Sequence, residues 1–198
     1  MSEFLTTLKK RRSIYALGDN LTQTTEEISE LVKEIVRESP TAFNSQTQRV
    51  VILTGESYKK LWQMTADLLQ PLTPPDAFEG TKQKLASFAA GKGTILFFED
   101  TDIVKNLQDQ FPLYADNFPV WSEQASGLTQ ANVWTALAEQ NIGANLQHYN
   151  PVIDEAVAKE WNIPSQWKLR AQLNFGSIEA PAGEKEYMEN EARFLEFN

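Results

Sequence analysis

The 198-residue sequence contains no cysteine and a single histidine, His148. Without a thiol there is no disulfide, no thiolate nucleophile and no zinc–thiolate site, so any redox chemistry has to come from a bound cofactor. Without a second histidine no metal site is expected, and no Ser-His-Asp order stands out. Long apolar runs are also missing. Nothing approaches the ~18 consecutive apolar residues of a membrane span, and residues 1–10 lack the apolar run of a signal peptide, so a cytoplasmic location is expected. Excess positive charge is absent too: 18 Lys and Arg stand against 27 Asp and Glu, a net charge of −9. Such a surface repels polyanions, and neither nucleic acid nor a membrane is an expected partner.

What is present is a globular composition, 41% hydrophobic and 11% aromatic, far from the polar, aromatic-poor profile of disorder. No repeat, low-complexity tract or linker divides the chain, so 1–198 is read as one domain able to bury its own core. Residues 24–37 place Ile28, Leu31, Val32, Ile35 and Val36 at helical spacing, with Thr24 and Glu27 in capping-box register. Pro40 ends that helix. The β-branched run 49–54, closed by Gly55, predicts a strand buried on both faces.

A second helix is expected over 57–70, a proline-rich loop over 71–78, a short helix ending at Gly91, and a second buried strand over 94–98 whose following residues, Glu99 and Asp100, face a polar edge. A short helix over 103–107 leads to the aromatic stretch from Phe111 to Trp121. A long apolar helix, the central one, then runs to about Gln140 and is closed by Gly143, with a loop behind it. Another helix covers 153–161. From Trp167 to Phe175 apolar and polar residues alternate strictly, the pattern of a half-buried strand. The fold class is α+β. After Gly176 the chain is rich in Gly, Pro and Glu, yet it finishes with Phe194, Leu195 and Phe197, which ask for a partner to bury them.

Three segments carry candidate chemistry. Lys9-Lys10-Arg11-Arg12-Ser13 combines guanidinium forks with a hydroxyl, which suits a phosphate; read alone it is first a solvated basic face. The turn from Ser39 to Arg49 offers amide side chains that match the edge of an isoalloxazine ring; alone it is equally an ordinary helix-to-strand connection. The stretch 141–151 carries Gly143, where a missing side chain lets backbone amides approach a flat ligand; alone it is a glycine helix stop and a loop, with His148 at the surface.

Taken in order and spacing, these segments resemble the nitroreductase family, with its Arg-Arg-Ser-type opening, its Ser-Pro-x-x-x-Asn-x-Gln-type turn and its late Gly-containing flavin segment. The segments 143–151 and Trp167-Lys168-Leu169 resemble a small bacterial and yeast branch, some members of which are linked to fatty-acid signalling or to oxidative and metal stress. The resemblance spans essentially the whole chain. It implies a three-layer fold, with a central, mainly antiparallel sheet flanked by helices, in an intertwined homodimer with two FMN sites at the interface.

On that resemblance, Arg11, Arg12 and Ser13 hold the FMN phosphate and ribityl end, Lys185 and Arg193 contribute from the C-terminal tail, and Lys9 and Lys10 stand by. Asn44 and Gln46, with Thr41 and Ala42 beside them, reach the flavin from the other subunit. Gly143, Ala144, Asn145, Leu146 and Gln147 lie against the ring, and Lys82 or Lys84 meets its pyrimidine edge. Phe43, Trp62, Tyr114, Phe118, Trp121 and His148 are candidate walls for a flat acceptor.

The implied activity is an NAD(P)H-dependent oxidoreductase. NADPH or NADH delivers hydride to FMN and leaves, and a nitroaromatic, quinone or similar small-molecule electron acceptor takes its place. No side chain acts as a catalytic nucleophile. The other reading of the same segments is a regulatory or stress protein that responds to a flavin or fatty-acyl ligand and turns over little.

Overall fold

The structure is a computed structural model describing residues 2–197. Among these, seven α-helices and five strands follow in the order α1 (Glu3–Lys10), β1 (Leu17–Gly18), α2 (Thr25–Glu38), β2 (Gln48–Thr54), α3 (Gly55–Leu69), α4 (Pro75–Phe88), β3 (Gly93–Asp100), α5 (Thr101–Gln110), α6 (Asn117–Glu139), β4 (Gly143–Gln147), α7 (Asp154–Glu160) and β5 (Trp167–Ile178).

Strand β5 lies at the centre of the sheet. Antiparallel β3 runs along one side of it, from Gly93 opposite Phe175 to Asp100 opposite Trp167, and antiparallel β2 lies beyond β3. Along the other side of β5 sit β4, from Gly143 opposite Gly176 to Gln147 opposite Gln172, and the short β1. On one face α2 and α6 close over the sheet, with Ile28, Val32, Val133 and Leu137 packed on Ile95, Phe97, Leu173 and Phe175. On the other, Tyr58, Leu61 and Trp62 of α3, Leu85 and Phe88 of α4 and Val157 of α7 cover Leu53, Leu96, Phe98 and Leu169. Each of these large buried side chains contributes about 1.5–3 kcal/mol. The expected three-layer α+β arrangement is therefore present.

The local chemistry behind the elements is visible at the helix ends. Thr24 and Glu27 form the expected capping box, each side chain bonded to the other's backbone N–H. At the far end of α6 the residue in left-handed conformation is Asn141, φ 60°, not Gly143. Ile142 N donates to Leu137 O and Asn141 N to Ala138 O, the paired bonds of a Schellman stop.

Gly143 is thereby released to begin β4, and what was expected as a loop is a strand. Its bareness serves close packing within the chain, since a Cβ there would come within 2.9 Å of the Ile178 and Leu17 side chains.

Five further expectations are corrected. Strand β2 is an edge strand in this chain, and of its residues only Leu53 is fully buried. Gly55 opens α3, and the second half of the proline-rich segment is helix, because Pro75 sits at the first helical position where its missing N–H costs nothing. Glu99 and Asp100 are interior, 1% and 7% exposed. Strand β5 is buried on both faces over 171–176, including the polar Gln172 and Asn174.

Candidate functional site

The basic segment leaves α1 in extended conformation at Arg11 and is clamped along β4. Ser13 bridges Ala144 in parallel register, Ile14 N donates to Ala144 O at 2.9 Å, and the Asn145 amide donates to Ile14 O at 2.8 Å. Beside this clamp Arg11, Arg12, Ser13, Tyr15 and Lys185 line an open cavity of about 560 Å³ whose other wall is the tail segment 180–183. The small residues Ala180, Pro181, Ala182 and Gly183 let the tail fold close, and Arg12 Nη2 donates to Gly183 O at 2.7 Å. The Arg11 guanidinium lies 4.4 Å from the centroid of the Trp134 ring of α6, a cation–π contact that orients it.

Three cations and a hydroxyl thus face one cavity in a chain of net charge −9. This donor set fits the phosphate and polyol end of FMN, since Arg forks, a Lys ammonium and a hydroxyl supply converging donors to phosphate oxygens.

Arg193 does not line this cavity; its guanidinium lies near the Phe194 ring. Lys10 has a role of its own, donating to Glu139 O at the C-terminus of α6 at 2.9 Å. Lys82 and Lys84 lie on α4, which packs on α3; Lys82 pairs with Glu79.

The segment 143–147 lies beside the basic cluster, bridged to Ser13 and Ile14 through Ala144, and its side chains divide. Asn145 is fully buried and turned inward, and Gln147 Nε2 donates to Asn145 Oδ1 at 3.0 Å. Leu146 packs with the core on the α6 side. His148, directly after the strand, is exposed.

The amide-rich turn is strained. Phe43, Asn44 and Gln46 all have positive φ, 58°, 50° and 48°, each costing roughly 1–3 kcal/mol for a non-glycine residue. Thr41 Oγ1 accepts from Gln46 N at 3.0 Å and Arg49 donates to Gln46 O at 2.8 Å, which holds the turn closed. The strain presents Phe43, half exposed, to a cluster of aromatic rings. Phe43 stacks on Trp121, 20° from parallel, and contacts Phe118, Tyr114 and Phe111 at centroid distances of 5.2–6.0 Å.

Four of the expected wall residues therefore meet in one place, joined by Phe111. Trp62 does not: it is 2% exposed, packed with Phe88 and Tyr149 on the other face of the sheet. Behind the turn, Glu99 is buried with its Oε2 accepting from Ser122 Oγ at 2.5 Å. Burial pushes its carboxyl above the usual range, with the Ser122 hydrogen bond opposing.

Sequence reasoning missed Trp134, Phe111 and the 180–183 wall. A tryptophan on an apolar helix looks like core, and no local pattern distinguishes a tail that folds back from one that does not.

The model of the nitroreductase family matches residues 8–177. HBN1 of Saccharomyces cerevisiae is 40% identical over 198 residues, 98% of each chain. The nitroreductase CinD of Lactococcus lactis, solved with nicotinic acid, is 61% identical with a TM-score of 0.92, covering 99% of this chain and 100% of its own; it has also been solved with 4-nitrophenol. A nitroreductase of Desulfitobacterium hafniense with bound FMN shares the fold at 12% identity, TM-score 0.72, over the full length of both chains.

Proposed function

The chain belongs to the nitroreductase family, and from that premise we propose that it is an FMN-dependent oxidoreductase that takes hydride from NADPH or NADH and reduces flat acceptors such as nitroaromatics and quinones. The observation that carries this reading is the convergence of Arg11, Arg12, Ser13 and Lys185 on one cavity from opposite ends of the sequence.

When bound, FMN supplies the chemistry, accepting a hydride from the nicotinamide and passing it on. The chain's own residues bind and orient. Arg11, Arg12, Ser13 and Lys185 neutralise the phosphate end. Backbone amides of 143–147, held by the sheet on one side and by Ser13 and Ile14 on the other, give a rigid edge for the ring and donors for negative charge that develops there. The Phe43–Trp121 cluster offers aromatic faces on which a planar acceptor stacks and from which water is excluded.

The turn carrying Asn44 and Gln46 belongs to the cofactor site of a second copy in a homodimer. The exposed Val120 and Leu128 of α6, Phe4 and Leu8 of α1, and Phe194, Leu195 and Phe197 of the tail support that assembly. The nicotinic acid complex of CinD supports a place for a pyridine-3-carbonyl group, and its 4-nitrophenol complex supports a nitroaromatic acceptor.

Steady-state oxidation of NADPH and NADH with 4-nitrophenol or a quinone tests the reaction. Acceptor-dependent turnover is expected; protein carrying FMN that neither donor reduces would overturn it.

A further inference from the structure

The strand register puts three polar residues side by side across the centre of the sheet. Thr94 of β3 lies opposite Asn174 of β5, and Asn174 lies opposite Asn145 of β4. All three are fully buried, and Trp62 of α3, 2% exposed, sits above them. Four hydrogen bonds connect them in one direction. Trp62 Nε1 donates to Thr94 Oγ1 at 3.1 Å, Thr94 Oγ1 to Asn174 Oδ1 at 2.6 Å, Asn174 Nδ2 to Asn145 Oδ1 at 3.0 Å, and Asn145 Nδ2 to Ile14 O at 2.8 Å.

The polarity of this chain is forced by its ends. An indole N–H only donates and a backbone carbonyl only accepts, so each hydroxyl and amide between them has one orientation that satisfies its neighbours. Hydrogen bonds aligned head to tail in an interior also strengthen one another, and a broken link leaves buried groups unpaired.

The end of the chain is where it matters. Ile14 directly follows Arg11, Arg12 and Ser13, and both its backbone groups are taken by β4: its N–H by Ala144 O and its carbonyl by Asn145. We propose that the Trp62–Thr94–Asn174–Asn145 relay is a positioning device that locks the phosphate-gripping segment 11–13 to strand β4. It thereby sets the relation between the phosphate end and the ring end of the cofactor site from the opposite face of the sheet. Asn145 and Thr94 act as positioning residues through Ile14, not as contacts of their own. This role rests on the proposed FMN site, while exchange at the clamp is read separately from cofactor binding.

The test uses the full-length protein and the pair Thr94→Val and Thr94→Ser. Valine keeps the shape and removes the link; serine keeps the hydroxyl. In FMN-free protein, hydrogen–deuterium exchange of peptides covering 11–16 and 143–147 should accelerate in Thr94→Val, while α2 and α7 exchange as in wild type, and Thr94→Ser should restore protection. FMN titration should then show Thr94→Val binding roughly tenfold more weakly, with an altered visible circular dichroism of bound flavin, and Thr94→Ser close to wild type.

If Thr94→Val does not fold, Trp62→Phe removes the donor that sets the polarity and should show the same change in smaller measure. Wild-type exchange at 11–16 in the folded variant would overturn the inference. Wild-type protein that does not bind FMN would instead overturn the cofactor reading, with the exchange result still deciding whether the clamp depends on the relay.

Discussion

Arg11 lies 4.4 Å over the ring of Trp134, whereas Phe43 stacks on Trp121, and both tryptophans belong to the one helix α6. Thirteen residues separate them, about 20 Å along the helix axis at a rise of ~1.5 Å per residue. The basic cavity and the amide-rich turn of one chain therefore sit towards opposite ends of α6. In the proposed reading both reach one flavin because the turn of a second copy arrives at the cavity of the first.

Assembly and flavin binding are accordingly expected to fail together. Leu128 is half exposed on α6 among small residues, and Leu128→Glu places a charge in the proposed interface. Light scattering with in-line absorbance should show wild type as a dimer carrying flavin and the variant shifted towards a monomer that has lost it. A wild-type monomer that retains FMN would contradict the shared site.

Arg11→Ala is expected to weaken FMN retention by about 1.5–3 kcal/mol, roughly tenfold to hundredfold in Kd, as a charge-assisted contact is removed. Arg11→Lys should recover only part of this, because an ammonium does not fork onto phosphate and has no planar group to set over Trp134. Equilibrium dialysis against FMN measures both; full occupancy of Arg11→Ala in dilute solution would remove Arg11 from the site.

Glu99 makes stability depend on pH. Burial raises its folded-state pKa above the unfolded value. The native state therefore holds the proton more tightly, and the associated stability is fully present below the unfolded pKa and is lost as pH rises through the folded one. Glu99→Gln abolishes this titration while its amide oxygen can still accept from Ser122. Urea denaturation between about pH 4.5 and 8 should show wild type losing stability relative to Glu99→Gln as pH rises; parallel curves would place the charge elsewhere.

These expectations depend on features of unequal legibility. The α2 capping box and the β-branched strands were readable because local rules decide them: Thr24 and Glu27 are three apart, and β3 is apolar throughout its centre. The stop of α6 was misread because Gly143 is the better left-handed residue, but its place is needed against Leu17 and Ile178, and Asn141 takes the turn instead. Strand β5 alternates as if one face met water. Its polar Gln172 and Asn174 are buried nonetheless, because Tyr149 N and Asn150 satisfy the first and Thr94 and Asn145 the second.

That polar row across the sheet is invisible to periodicity, since it depends on register among three strands distant in sequence. The same holds at the site. Arg11, Arg12 and Ser13 stand out only through the order and spacing of the three segments, since a basic run by itself suits a solvated face, whereas Lys185 joining them and Arg193 remaining apart depend on how the 180–183 segment folds back.

The most direct measurement is the absorbance spectrum of the purified protein, followed through anaerobic titration with NADPH and NADH. A flavin spectrum that bleaches stoichiometrically with at least one donor, and returns when 4-nitrophenol or a quinone is added, is expected. Colourless protein that fails to retain added FMN, or a flavin spectrum that neither donor changes, would contradict the proposed oxidoreductase.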